Sequence, residues 1–356
     1  MAEKVLAAMS GGVDSSVAAY LLDKRGFDVS GAMMKLYENE DIGEDIMRSC
    51  CSLADKGDAE AVAARLGIPF YVFNYTEEFR RGVMDAFVDE YAHGHTPNPC
   101  VECNRLLKFG ALFERADALG CKFIATGHYV RVERDAGGRY LLKKGVDDTK
   151  DQSYALFFMT QEQLARTVFP LGELTKTEVR ELARENGFEN AAKPDSQDIC
   201  FVPRGDYGEF LETYTGKTPP PGDFLDKNGK ILGTHRGISR YTVGQRRGLG
   251  ISDEHRLYVT RIDTAKNAVI LGENADLYSR ELMAKNINII AGELPEQEFR
   301  CTAKIRYGMR EQPATATRTG EDELKIVFDT PQRAITPGQY AVLYDNDIVI
   351  GGGTIQ

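Results

Sequence analysis

Two rhythms of apolar residues divide the chain. Up to about residue 205, short apolar runs alternate with stretches in which apolar positions recur every three or four residues. Val5–Met9, Val29–Met34, Ile68–Phe73 and Phe123–Thr126 read as strands. Helices are predicted after Gly12 on Val17, Ala18, Leu21 and Leu22, and over 55–66 on Ala59, Val62, Ala63 and Leu66. Two more follow, over 79–91 on Val83, Phe87, Val88 and Tyr91, and over 106–119 up to Gly120. Such alternation builds an α/β fold with a parallel sheet covered on both faces. Beyond 205 the rhythm changes. Thr218–Gly222 (TPPPG) is a breaker, and short β-rich runs recur over 257–262, 268–271, 286–290, 299–306, 324–328 and 340–344. Turn residues separate them as in a small barrel or sandwich. The expected division is an α/β domain over 1–205, a small central domain over 206–280 and a β domain over 281–356.

With 356 residues, 42% of them hydrophobic, the chain can bury a substantial core. A net charge of -10 argues against a generic nucleic-acid coat, because non-specific binding rests on excess Lys and Arg. Local basic faces remain open to it. One runs through Arg131, Arg134, Arg139, Lys143, Lys144 and Lys150, a second through Arg236, Arg240, Arg246 and Arg247, a third through Lys304, Arg306 and Arg310. No apolar run is long enough to span a membrane and Met1–Met9 lacks the flanks of a signal peptide, so a cytoplasmic protein without membrane contact is expected. In that compartment seven cysteines suggest chemistry or metal binding more than a disulfide scaffold.

The most informative stretch is Ala7–Ser16. Ser10-Gly11-Gly12 turns a strand into a helix, Gly11 and Gly12 let the backbone approach a ligand, and the helix start from Val13 to Ser16 presents unpaired amides to a phosphate. Asp14 can cap the helix or hold magnesium. Two glycines alone would be an ordinary turn; the full Ser-Gly-Gly-Val-Asp-Ser-Ser string points to phosphate binding. It is neither a Walker A loop nor a Rossmann fingerprint. It resembles the PP-loop of ATP pyrophosphatases, which cleave ATP between the α- and β-phosphates and adenylate a substrate oxygen. In open parallel sheets ligands sit beyond the carboxyl ends of strands, so the loops after Met9, Met34 and Thr126 should gather around one nucleotide. Gly127 then offers its backbone. His128 reads either as a core histidine or, directly after a strand end, as a site residue, and the site role is favoured.

Cys100 and Cys103 form Cys-x-x-Cys in Thr96–Asn104, held stiff by two prolines, and a helix starting just after would favour thiolate at Cys103. Cys200 lies far along the chain in a polar loop before Phe201-Val202. Cys121 and Cys301 read as buried, and Cys50 and Cys51 are ambiguous. The pair alone suggests a redox dithiol or half a zinc site, but Cys200 has no nearby partner to complete four ligands. Three thiols fit either a dithiol with a persulfide or a [4Fe-4S] cluster with one open iron.

Taken together, these motifs resemble the tRNA-specific 2-thiouridylases, bacterial enzymes that place sulfur on C2 of the wobble uridine. The likeness covers nearly the whole chain, through Ser10–Ser16, Thr96–Pro99 with Cys103-Asn104, Ala125–Arg131, Lys150–Tyr154, Asp195-Ser196 with Ile199–Phe201, Gly244–Gly250, Arg306-Tyr307, Thr336–Gln339 and Gly351–Gly353. It implies a PP-loop domain, a small central domain and a C-terminal β-barrel that meets tRNA. It further implies that Ala8, Met9, Ser10, Gly11, Gly12, Val13, Asp14, Ser15, Met34 and Gly127 hold ATP with Mg2+. Asn98, Pro99 and Cys100 would meet the target base, while Cys103 resolves the reaction and Cys200 carries the persulfide. His128, Lys150, Asp151, Gln152, Arg306, Tyr307 and Gln339 would contact the anticodon arm of tRNA, and a cysteine desulfurase or relay protein would donate sulfur.

One departure matters. Many family members have aspartate where this chain has Cys100, so that acid/base carboxylate is missing. The change also completes the set Cys100, Cys103 and Cys200, which some thiolases use to hold a [4Fe-4S] cluster, and tilts the expectation toward a cluster. The rival readings are a PP-loop enzyme adenylating a small molecule and a non-catalytic RNA-binding iron-sulfur protein.

Overall fold

The computed structural model describes residues 2–38, 53–195, 198–202, 206–252, 254–295 and 297–356. Cys50, Cys51 and Ser196 lie outside them.

The amino-terminal sheet grows from β1 (Lys4–Ala8), β2 (Asp28–Lys35), β3 (Phe70–Asn74) and β4 (Phe123–Ala125). The next two strands, β5 (Val130–Arg134) and β6 (Tyr140–Lys144), form a hairpin, and β7 (Thr167–Val168) returns to the sheet. The order β3-β2-β1-β4-β7 is parallel throughout, as apolar strands separated by helices require. The carboxyl ends of β1, β2 and β4 therefore open on one side. The central unit is a four-stranded sheet of β8 (Gly222–Leu225), β9 (Ile231–His235), β10 (Tyr258–Asp263) and β11 (Ala268–Gly272), packed on Phe224, Tyr241, Val259 and Leu271.

The last six strands are β12 (Tyr278–Ile289), β13 (Phe299–Lys304), β14 (Gln312–Gly320), β15 (Glu323–Arg333), β16 (Tyr340–Asp345) and β17 (Ile348–Ile355). They run β12-β15-β14-β13-β16-β17 and close when β17 pairs with β12, so no edge is left between them. The glycine run of β17 permits the closure. A Cβ on Gly352 would lie 2.5 Å from the Ala341 carbonyl of β16, and one on Gly353 would lie 2.6 Å from the Lys285 carbonyl of β12.

Two elements depart from the sequence reading. The apolar residues of 79–91 fall four apart (Phe79, Val83, Phe87, Tyr91), which drifts about 40° per turn on a 3.6-residue helix. A wide π-type segment at Arg80–Asp85 absorbs that drift. The helix expected from Leu106 instead starts at Pro99, with Asn98 as its N-cap, and continues through a π-type segment at Asn104–Ala111.

The hairpin is the larger surprise. It joins the barrel sheet through β6 and β17, and one core runs from Leu6 and Ile124 through Tyr154 to Tyr340, Tyr344 and Val349. The first basic cluster is consumed in this joint. Arg131 meets Asp347 at 2.8 Å, Lys143 meets Glu133 at 3.0 Å and Asp347 at 3.1 Å, and Lys144 meets Glu311 at 2.6 Å. Arg139 donates to the Ile290 carbonyl and Arg134 to the Gly138 carbonyl. The expectation that these cations form an RNA face is corrected for Arg131, Arg139, Lys143 and Lys144, which tie the hairpin to the barrel. Among the described residues, no helix is long and apolar enough to cross a membrane.

Candidate active site

The loop after β1 is built for close approach. Gly11 takes φ +77°, and a Cβ there would sit 2.2 Å from the Asp55 carbonyl. Gly127, at the end of β4, has no room for a side chain either, because a Cβ would lie 2.9 Å from the Asp14 carbonyl carbon and 3.0 Å from the Ser15 amide nitrogen. Its bareness lets the β4 loop lie directly on the first turn of helix Val13–Lys24. The Ser10 amide donates to Ser15 Oγ at 3.1 Å, and Ser15 and Ser16 hydroxyls both donate to the Gly12 carbonyl at 3.0 Å. Gly12 is the N-cap and no side chain caps the helix, so Asp14 does not play the capping part expected of it. Met9 is buried and its amide donates to Ala32, while Ala8 and Met34 pack against the core below the loop.

Asp14 is instead the head of a charge relay. Its two carboxylate oxygens accept from Lys176 Nζ at 2.7 and 2.8 Å, and Tyr129 OH donates to Oδ1 at 2.8 Å. Lys176, buried at the start of helix Lys176–Glu185, also meets Asp195 at 2.8 Å. Asp195 is gripped in turn by Lys150 at 2.8 Å and Arg180 at 2.9 Å. Burial alone would raise the Asp195 pKa, but hydrogen bonds from Lys150 and Lys176 override it and bring it from 3.8 down to about 2. Burial, and then the adjacent Asp14 charge, push the Tyr129 phenol far up, so it stays a donor. A depressed carboxyl pKa stabilises the fold above its unfolded value and loses that contribution as pH falls through its folded value. Stability should therefore decline between pH 3.8 and about 2 through Asp195, and Asp195→Asn should flatten that limb in acid-unfolding curves.

This occupancy bears on magnesium. Asp14 already holds a cation partner, so its carboxylate is not a ready metal ligand, and no step below is routed through it. Other residues of the loop escaped the sequence reading. Asn190, 4% exposed, donates to the Gly11 carbonyl and to Ser16 Oγ, each at 2.9 Å, and Lys193 bridges toward Asp55 and Asp58 beside Gly11. Both lie some 180 residues downstream in segments without a phosphate-site pattern, so nothing local marked them.

The cysteines sit on a second core, built on Phe79, Phe87, Phe201 and Phe210. Cys103 and Cys200 both pack against it half-buried, although 97 positions apart. Cys100 is exposed. Because the helix starts at Pro99, its amide-rich end lies at Cys100, one turn before Cys103, and the argument that a helix start activates Cys103 does not hold. Among the described residues, no three His, Cys, Asp or Glu side chains gather in a group fit for a metal. The set Cys100, Cys103 and Cys200 does not fit a cluster here, contrary to the expectation, and no step is derived through one. Cys121 and Cys301 are buried as expected.

The residues expected to meet RNA divide. His128 is 7% exposed, its Nδ1 lies 2.7 Å from Thr126 Oγ1, and its ring sits between Phe109 and Phe169. Burial, with Lys108 adding to it, holds its pKa well below the ordinary imidazole value. Such an enclosure is that of a neutral core histidine, the other of the two readings its sequence position allows. His128→Ala should cost about 3 kcal/mol in denaturant unfolding, as a buried ring lost to a cavity does, while tRNA affinity at fixed salt stays put. Asp151 is equally internal, accepting from Ser153 Oγ at 2.9 Å and pairing with Lys304 at 3.1 Å. Gln152 accepts from the Tyr129 amide at 3.1 Å, and Lys150 is committed to Asp195. Gln339 Nε2 donates to the Thr96 carbonyl at 2.7 Å, so it buttresses the loop that leads to Asn98 and Pro99. Arg306 and Tyr307 are exposed. Tyr307 leans edge-on against Tyr154 and is 47% exposed.

Residues 3–204 match the model described as tRNA methyl transferase HUP domain, 208–273 the tRNA methyl transferase PRC-barrel domain, and 279–355 the aminomethyltransferase beta-barrel domain. The protein named tRNA-specific 2-thiouridylase MnmA of Clostridioides difficile is 51% identical over 357 residues, covering 100% of this chain and 99% of that one. The chain belongs to the tRNA-specific 2-thiouridylase family. The proteins of the same name from Acetivibrio thermocellus and Natranaerobius thermophilus are 49% and 50% identical, over 99% and 100% of this chain and 99% and 98% of theirs. In a 2-thiouridylase frame, the nucleotide-type loop at Gly11 and the thiols on the phenylalanine core are two parts of one fold, joined through the Asp195 segment that precedes Cys200.

Proposed function

We propose that this protein uses ATP to exchange the C2 oxygen of a tRNA wobble uridine for sulfur. The observation that supports it most is the arrival of Cys103 and Cys200, from segments 97 positions apart, on one core of the α/β domain. Methyl transfer, the word in two of the family descriptions, requires neither that loop nor a pair of thiols.

A carbonyl oxygen is a poor leaving group. Helix Val13–Lys24 turns its open amides toward the phosphates, and Gly11, Gly12 and Gly127 let backbone come close to them. Attack of the uridine O2 on the α-phosphate then expels pyrophosphate and leaves the base adenylated. The target base has to leave its stack, and the exposed ring of Tyr307 offers a surface for it. With a persulfide on Cys200, supplied by a sulfur-donor protein, the outer sulfur adds to C2 and AMP departs. Cys103 thiolate attacks Cys200 Sγ and breaks the S–S bond, which leaves 2-thiouridine and a Cys103–Cys200 disulfide. A thiol reductant returns both thiols by supplying two electrons.

The test supplies unmodified tRNA, ATP and a persulfide donor, and reads pyrophosphate together with thiolated nucleoside by mass spectrometry. Both products should require tRNA and ATP, and Asp14→Ala should lose both. Pyrophosphate release independent of tRNA would favour the rival small-molecule enzyme.

A further inference from the structure

Ion pairing sorts the basic residues of this acidic chain. The hairpin cations are neutralised by Asp347, Glu133 and Glu311, and Lys150 by Asp195. The central domain is different. Arg236, Arg246 and Arg247 are exposed, and among the described residues none of them has a carboxylate within salt-bridge distance. Arg236 lines a cavity of about 290 Å³ together with Asp206, Tyr207 and Tyr241, and Arg246 and Arg247 sit in the chain between two further lining residues, Gln245 and Gly248. Arg240 lines the same cavity, paired with Glu212, and Asp206 on its rim is turned to the helix start, where it accepts from the Glu209 amide at 2.9 Å. Asp206 and Glu212 are thus both already engaged.

The loop carrying Arg246 and Arg247 is held firmly. The Gly244 amide donates to the Val259 carbonyl at 2.7 Å, the Val259 amide returns to Gln245 at 2.9 Å, and Gln245 Nε2 donates to the Arg247 carbonyl at 3.0 Å. A presented cation loses less entropy on meeting a phosphate than one on a loose loop. The cavity also communicates with the cysteine helix. Tyr207 OH reaches Thr242, Thr242 Oγ1 accepts from Thr96 Oγ1 at 3.3 Å, and Thr96 leads through Pro97 and Asn98 to Cys100.

We infer that this arginine-lined cleft is a docking surface for the phosphate backbone of the tRNA stem, placed so that a duplex gripped there directs its loop toward Cys100. The inference rests on the tRNA reading above and specifies where affinity is generated. Phosphate contacts fix register and orientation without reading sequence, and they make binding steeply salt-dependent. An acidic protein that holds tRNA has to concentrate such contacts on few cations, and Arg236, Arg246 and Arg247 are among those not already spent on carboxylates.

The test measures tRNA binding by the full chain across a salt series, for the native protein, for Arg236→Ala, for the pair Arg246→Ala with Arg247→Ala, and for all three together. Arg300→Ala, which removes an equal charge from an Asp329-paired site on the barrel, is the control. The slope of log affinity against log salt should fall by about one for each cleft arginine removed, with about tenfold weaker binding in the triple variant. The Arg300 variant should keep the native slope. Native-like slopes in the cleft variants would overturn the inference, even if the cleft were found to bind inorganic phosphate. Absence of tRNA binding by the native protein would instead defeat the functional reading on which it rests.

Discussion

Cys200→Ser should keep tRNA-dependent pyrophosphate release near the native rate while forming no thiolated nucleoside. Adenylation draws on the loop at Gly11 and the open helix start, whereas Cys200 packs on the Phe79, Phe87 and Phe201 core. Sulfur transfer needs a sulfur that can carry a second one, and a serine hydroxyl cannot form a persulfide. Cys103→Ser separates the remaining half of the chemistry. The outer sulfur should still add to C2, but without a thiolate to break the S–S bond the tRNA should accumulate linked to Cys200, and a reducing agent should release it. That adduct is visible as a shifted band on a non-reducing gel. If Cys200→Ser still thiolated tRNA, the persulfide route would be wrong, and a sulfur source other than this thiol would have to be sought.

Lys176→Met should have the second large effect. Lys176 is the cation shared by Asp14 and Asp195, and methionine keeps its length while removing the charge. Two carboxylates, each partly shielded from water, then lose a partner. Breaking such a contact on one side costs about 2 kcal/mol. The larger consequence is positional, because Asp14 belongs to the first turn against which Gly127 is pressed. A small displacement of a reacting geometry lowers rates by about a hundredfold, and that is the expected loss in pyrophosphate release. Lys176→Arg should restore part of it, since a guanidinium can still span two carboxylates. An unchanged turnover number in Lys176→Met, with folding intact, would show that the relay does not position the loop for the reaction.

How much of this was legible depends on the range of the contacts involved. The loop at Ser10–Ser16 was readable because everything that shapes it is local: a buried strand, two glycines and an amphipathic helix within twenty residues. The parallel sheet followed from repetition of that unit. His128 could not be assigned from its neighbours, because the rings of Phe109 and Phe169 that enclose it come from distant segments. The same holds for Asp14, whose carboxylate looked available for a cap or a metal until Lys176 arrived from 162 positions away. Basic clusters misled for a related reason. A run of Lys and Arg shows the charge and hides the partners, and only Asp347 and Glu311, far along the chain, reveal that the first cluster is a joint.

By itself the sequence determined the classes of element, the phosphate-type turn, the two thiol segments and, through its likeness to a family, the chemistry they serve. The tertiary structure decided which of those groups meet. It brought Cys103 and Cys200 onto one core, gathered no metal-binding group among the described residues, and carried a hairpin of the first domain into the barrel sheet. Local rules follow from backbone and side-chain preferences over a few residues, whereas partner choice follows from burial. A charge or a ring enclosed by the fold has to be satisfied by whatever the packing places beside it, however distant in the chain.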